Sequence, residues 1–253
     1  MLLAKDKNGC IVWHHAANCG RLEALETLWC WAKEVKLKLD ELLLFESEEG
    51  LTAFHMAAQQ NHIEILQKLW VWAEKCQTNS NKLKKKLLLA KDKNGWIVWH
   101  RAAYFGRLEA LETLWSWAKE VELKLDELLL FKSEGGLTAF HMAAQENHTE
   151  ILQKLWVWAE KCQTNSNELK KKLLLAKDKN GCIVWHRAAY FGRLEALETL
   201  WCWAKKVELT PDEMLLAKTE QGETVFHIAA QQNHIEILQK LWVWAEESRI
   251  QMN

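Results

Sequence analysis

The chain has 253 residues, a formal net charge of −1, 49% hydrophobic residues and a single proline. That balance offers no polybasic surface for nucleic acid or anionic membrane, and no apolar stretch nears the ~18 residues of a membrane span. Seven cysteines, an odd number scattered over equivalent positions, fit free thiols in a reducing cytoplasmic compartment.

Six equivalent histidines, His14, His55, His100, His141, His186 and His227, lie 41, 45, 41, 45 and 41 residues apart. The sequence therefore repeats every 86 residues as two unlike halves. Self-similarity at such periods marks stacked units that cannot bury their apolar faces alone. The copies span approximately residues 8–45, 49–90, 94–131, 135–176, 180–217 and 221–253. With no linker between them, they read as one array over 1–253.

Within a copy, the elements are expected in a fixed order. An odd copy opens on a Lys-Asp-Lys-Asn-Gly turn such as Lys91 to Gly95. Val98 to Phe105 follows as a short helix of small and apolar residues, closed by Gly106. Asn61, Asn147 and Asn233 hold that closing position in the even copies, and Gly and Asn both tolerate the left-handed conformation that ends a helix. A second helix is predicted from Leu108, Leu111, Trp115 and Ala118, which recur on one face at helical period. Twelve of the sixteen tryptophans form Trp-x-Trp pairs on this helix, for example Trp115/Trp117 and Trp156/Trp158. Residues two apart point ~200° apart, so the two rings of a pair cannot share a face. Packing of one ring into the stack and the other under a covering segment is expected. An aromatic stripe for a partner or a membrane interface is the alternative.

The wording around each histidine carries a family resemblance. Odd copies read Asn94-Gly95-Trp96-Ile97-Val98-Trp99-His100-Arg101-Ala102-Ala103, and even copies Gly136-Leu137-Thr138-Ala139-Phe140-His141-Met142-Ala143-Ala144. Asn147-His148-Thr149-Glu150-Ile151-Leu152 and Gly106-Arg107-Leu108-Glu109-Ala110-Leu111 follow. This resembles the ankyrin repeat, and the six copies cover essentially the whole chain. The resemblance implies an all-α, ankyrin-like α-solenoid of helix-turn-helix units that binds other proteins. It also implies a hydrogen bond between Thr and His within each signature.

The departures are informative. Ankyrin repeats run about 33 residues, whereas these alternate between 41 and 45. The Gly that usually ends the second helix is Ala32, Ala73, Ala118, Ala159, Ala204 and Ala245 here. Ala favours helix continuation by ~1 kcal/mol over Gly, and the extra residues read as a short third helix in each copy. Thr210-Pro211-Asp212-Glu213 shows a capping box with Pro at the first helical position, and Asp126 to Phe131 and Asn167 to Ala176 correspond to it. The runs Lys84 to Lys86 and Lys170 to Lys172 fall on this helix and read as a solvated face. Odd copies replace the signature Thr by Ile11, Ile97 and Ile183. Their histidines must therefore find backbone partners, because a buried unpaired imidazole costs on the order of 1–3 kcal/mol.

Most positions are identical between superrepeats, yet the odd copies differ at Cys10/Trp96/Cys182, His15/Arg101/Arg187, Asn18/Tyr104/Tyr190 and Cys19/Phe105/Phe191. In the family these first-helix positions line the concave groove. Trp96, Arg101, Tyr104, Phe105, Arg187, Tyr190 and Phe191 are thus the expected protein-binding strip, completed by Met142, Gln145 and Glu146 of the intervening copy. Aromatic residues and Arg are the types enriched at binding hot spots. Drift at exposed sites would produce the same pattern.

Catalytic chemistry is thin. Cys10, His14, His15 and Cys19 suggest metal ligands, but later copies replace His15 and Cys19 by Arg and Phe. No third group orients a Cys–His nucleophile and no phosphate-cradling Gly loop is present. The expectation is a non-enzymatic scaffold without cofactor or metal, whose partner is another protein rather than nucleic acid or an inserted membrane. Self-association is the alternative. Met1-Leu2-Leu3 reads as the tail of a third helix, which fits a piece of a longer array or an engineered boundary.

Overall fold

The structure is a computed structural model, and it describes residues 1–76, 79–162 and 166–251, the side chains of 249–251 excepted. Among these, seventeen α-helices and no strand are present. The chain forms two compact units, Met1–Lys124 and Leu125–Asn253.

The first helices are α1 (Val12–Asn18), α4 (Ala53–Gln59) and α7 (Val98–Tyr104) in the first unit. In the second they are α10 (Ala139–Gln145), α13 (Val184–Tyr190) and α16 (Val225–Gln231). All are short and carry an Ala-Ala pair; Ala57, Ala58, Ala102, Ala103, Ala143 and Ala144 are fully buried, whereas Ala230 of α16 is exposed. Small side chains let α1, α4 and α7 lie side by side in one unit, and α10, α13 and α16 in the other. Each helix ends as expected: Gly20, Gly106 and Gly192, or Asn61, Asn147 and Asn233, take φ between 57° and 70°.

The second helices are α2 (Leu22–Glu34), α5 (Ile63–Lys75), α8 (Leu108–Glu120), α11 (Thr149–Lys161), α14 (Leu194–Lys206) and the longer α17 (Ile235–Gln251). Each of the first five runs two residues past the Ala that replaces the family Gly. In odd copies the chain then reverses through Lys36, Glu122 and Glu208 at φ 55–56°. Non-glycine residues thus do the stopping, four positions beyond that Ala.

The expected third helix is present in five copies: α3 (Leu39–Leu43), α6 (Ser80–Leu89), α9 (Leu125–Leu129), α12 (Ser166–Leu175) and α15 (Pro211–Leu215). The odd-copy members have one turn and the even-copy members nearly three. Thr210 and Glu213 form the anticipated capping box, with the Thr210 N–H donating to Glu213 Oε2 at 2.8 Å. The sixth copy shows only two helices among the described residues.

The entry turns are tight. Asp92 Oδ1 accepts the N–H groups of Asn94 and Trp96 at 2.8 and 2.9 Å, and Asp178 repeats this with Asn180 and Cys182. Successive turns within a unit are linked by one main-chain bond, from Lys93 N to Glu49 O and from Lys179 N to Gly135 O. The turn glycine is needed twice over. Gly136 has φ 78°, and a Cβ there would lie 2.7 Å from Lys179 N.

The core between second helices is aromatic. Trp29 stacks on Trp72 at 4.4 Å and Trp70 on Trp117 at 4.6 Å in the first unit. In the second, Trp156 stacks on Trp203 at 4.7 Å and Trp201 on Trp244 at 4.6 Å, all four pairs within 10° of parallel. The first ring of a Trp-x-Trp pair therefore faces the following copy and the second faces the preceding one. The ~200° between them serves both neighbours, so the second ring does more than lie under the third helix. Ten of the twelve rings are buried, and Trp31 and Trp242 are exposed.

The lysine runs are not simply a solvated face. Lys84 and Lys170 are buried with their Nζ atoms 5.0 and 5.1 Å from the Trp70 and Trp156 ring centroids. Lys84 donates to Glu120 at 2.7 Å and Lys170 to Glu160 at 2.7 Å. Lys84 shares its helix face with Leu87 and Leu88, so its stem packs with them and its charge needs these carboxylates.

Candidate protein-binding surface

The site is built on the first helices and their entry turns, which the histidines hold in place. His14 Nδ1 accepts the Ile11 N–H at 3.1 Å, and His186 Nδ1 accepts that of Ile183 at 3.1 Å. An accepting Nδ1 leaves the proton on Nε2, which donates to the carbonyl of Phe45 from His14 and of Ala217 from His186, at 2.9 and 3.0 Å. His100 Nδ1 accepts the Ile97 N–H in the same way. Odd-copy histidines thus have the backbone partners their missing Thr requires.

Even copies keep the family bond: His55 and His141 Nδ1 lie 2.9 and 2.8 Å from Thr52 and Thr138 Oγ1. Their Nε2–H groups donate to Ala90 and Ala176 carbonyls at the ends of α6 and α12. Each of these histidines therefore caps a first helix and ties down the end of a third one. Burial pushes His55 and His141 down to about 4, and the imidazoles remain neutral at neutral pH.

On the outer side of α7, Trp96 packs on Tyr104 at 5.0 Å, and Tyr104 meets Phe105 edge-on at 5.1 Å. All three are half-buried. Arg101 lies 5.3 Å over the Trp96 ring, but its guanidinium is engaged: Nε donates to Asp92 Oδ2 at 3.1 Å, Nη2 also bonds Asp92, and Nη1 donates to Gln59 Oε1 at 2.9 Å. Asp92 has a fully buried carboxylate, so Arg101 is a strut between turn and helix. Arg187 repeats that role on Asp178, and His15 does so on Asp6 at 2.8 Å.

In the second unit, Tyr190 is about half exposed and meets Phe191 edge-on at 5.0 Å. Gln145 and Glu146 are half-buried and bonded to each other at 2.9 Å. Met142 departs from the expected strip, since it is 1% exposed on α10, which α13 covers. Its side chain is core, and a partner cannot reach it.

Among the described residues there is no group of three His, Cys, Asp or Glu side chains placed to hold a metal. All seven cysteines are free thiols. Burial and the nearby Asp178 push Cys182 up to about 11, away from the thiolate a nucleophile needs. Among the described residues no helix is long and apolar enough to cross a membrane.

The fold and these signatures define an all-α repeat protein of the α-solenoid type. Family models agree: one for three copies of ankyrin repeats matches residues 13–125, and one for a single ankyrin repeat matches 135–166. Together they take in more than half of the chain, which belongs to the ankyrin repeat family. No curated protein matches it. Ankyrin repeats are generally protein–protein interaction modules.

Proposed function

We propose that the chain is a non-catalytic scaffold that binds a partner protein through its first-helix surface. In Met1–Lys124 the contacting side chains are Trp96, Tyr104 and Phe105, with Arg101 as their support. In Leu125–Asn253 they are Tyr190, Phe191, Gln145 and Glu146, with Arg187 in the supporting role. One observation carries this reading: the first-helix and entry-turn positions at which odd copies differ hold aromatic rings that remain solvent-accessible, Tyr190 at 49%. Rings of this kind bring large contact area at low entropic cost. The uninterrupted copy lengths support a single functional array over 1–253, and the free thiols support a reducing, cytoplasmic setting.

The test is a quantitative pull-down with wild type and with Tyr104, Phe105, Tyr190 and Phe191 all changed to Ala, helicity being checked by circular dichroism. Loss of the captured partner with retained helicity is expected. Undiminished capture would refute the assignment.

A further inference from the structure

The junction from an even copy to the following odd copy occurs once inside each unit, with recurring contacts. In the first unit Trp70 stacks on Trp117, Asn61 Oδ1 accepts the Ala110 N–H at 3.1 Å, and the Gln59 carbonyl accepts Arg107 Nε at 2.8 Å. In the second unit Trp156 stacks on Trp203, Asn147 Oδ1 accepts the Ala196 N–H at 3.2 Å, and the Gln145 carbonyl accepts Arg193 Nε at 2.8 Å. Lys84 adds a bond to Glu120 in the first junction only. In the second, Lys206 stands at the matching position and Lys170 pairs with Glu160 of α11, so that bond is not part of the recurring set.

Both halves of this junction occur once more in the chain. The sixth copy carries Gln231, Asn233 and Trp242, matching Gln59, Asn61 and Trp70. The first copy carries Arg21, Ala24 and Trp31, matching Arg107, Ala110 and Trp117. All six are exposed, Trp31 at 50% and Trp242 at 56%, whereas Trp70 and Trp117 are 4% and 9% exposed. Asn233 already holds φ 57°, against 59° for Asn61, so the accepting half is formed before anything docks.

We infer that the Trp242 face of one chain docks on the Trp31 face of a second copy and remakes the even-to-odd junction between molecules. The two faces are unlike, so the contact is heterologous, head to tail. Trp31 and Trp242 are the unmatched members of the same ring pair, and the Asn and Arg contacts fix the register in which they meet. The contact uses Gln231, Asn233 and Trp242 on one face and Arg21, Ala24 and Trp31 on the other, and does not involve Tyr104 or Tyr190.

Light scattering after size exclusion, over a hundredfold dilution of the whole chain, tests this. Wild type is expected to exceed its 29.6 kDa monomer mass at high concentration and to fall toward it on dilution. Trp31→Ala and Trp242→Ala should each weaken association by about thirtyfold, the ~2 kcal/mol of a hot-spot ring. Mixing the two variants is the decisive arm. Each retains the face the other lacks, so the mixture should recover mass up to a dimer and no further. Ala24→Arg, which places bulk at an exposed position, should abolish association if either Trp variant loses its fold. A wild-type monomer at every concentration overturns the inference, as does association that survives both Trp variants. A mixture that stays monomeric while wild type associates also overturns it, since the two intact faces would then have failed to pair. Trp242→Ala that associates like wild type overturns it too, as a symmetric Trp31 contact would behave that way.

Discussion

At the scale of single residues, the buried histidines His14, His55, His141 and His186 act as neutral hydrogen-bond connectors. Nδ1 accepts from the helix cap and Nε2–H donates to a third-helix carbonyl, so a second proton would set an N–H against an N–H. For His55 and His141 the folded value of about 4 lies below the ordinary 6.5. In this case the unfolded chain binds the proton first. Their contribution is complete above pH ~6.5 and is lost as pH falls toward 4, by about 3 kcal/mol for each histidine. Thermal unfolding followed from pH 7 to pH 4 should show the midpoint falling through that window. A flat profile would contradict the assigned tautomer.

Glycine gives a second test at this scale. Gly136 and Gly222 share φ 78°, but a Cβ at Gly222 meets nothing within 4 Å while one at Gly136 meets the Lys179 backbone. Gly222→Ala should cost the conformational ~1–2 kcal/mol alone, and Gly136→Ala clearly more, in denaturant unfolding. Equal losses would mean that the turn-to-turn contact carries no weight.

At the scale of elements, the Trp-x-Trp helix is the link between copies. Trp70 is 4% exposed and stacked on Trp117, so Trp70→Ala should destabilise by about 3–5 kcal/mol. Trp31→Ala, at an exposed ring, should cost under about 1 kcal/mol in monomer stability. The lysine run divides similarly. Lys84→Glu places a carboxylate beside Glu120, Glu74 and the Trp70 ring and should cost several kcal/mol, whereas Lys86→Glu on the exposed side should stay within ~0.5 kcal/mol. Both are read from the urea midpoint.

The elements themselves were legible in the sequence because their signals are local. Gly106 and Asn61 mark first-helix ends, Thr210 to Glu213 mark a cap, and the Ala series marks a prolonged second helix. Ring pairing was not legible. Trp29 and Trp72 are 43 residues apart and Trp70 and Trp117 are 47 apart, so the match exists only once copies are packed. Lys84 was misread for a related reason. Its partner Glu120 lies in the next copy, and a lysine run shows its charge without showing which stem is buried.

At the scale of the whole molecule, a repeated frame separates what holds the copies together from what varies on them. Histidines, turn glycines and tryptophan stacks recur from copy to copy. The variable first-helix positions divide in turn: Met142 serves the core and Arg101 and Arg187 brace the turns. Trp96, Tyr104, Phe105, Tyr190 and Phe191 keep solvent-accessible ring surface. Comparison between copies pointed to this strip, because the first-helix positions differ among odd copies, as parts of the third-helix segment also do. It could not assign Arg101 to Asp92, since that pairing depends on how the entry turn folds back on α7.

The most direct measurement of the central claim is site-specific photo-crosslinking in cell extract. A photoreactive phenylalanine would replace Tyr190 in one preparation and Cys202, which is exposed on the second helix of the same copy, in another. The account predicts a partner adduct from position 190 and none from position 202. Adducts from position 202 alone, or equally from both, would contradict a first-helix binding surface.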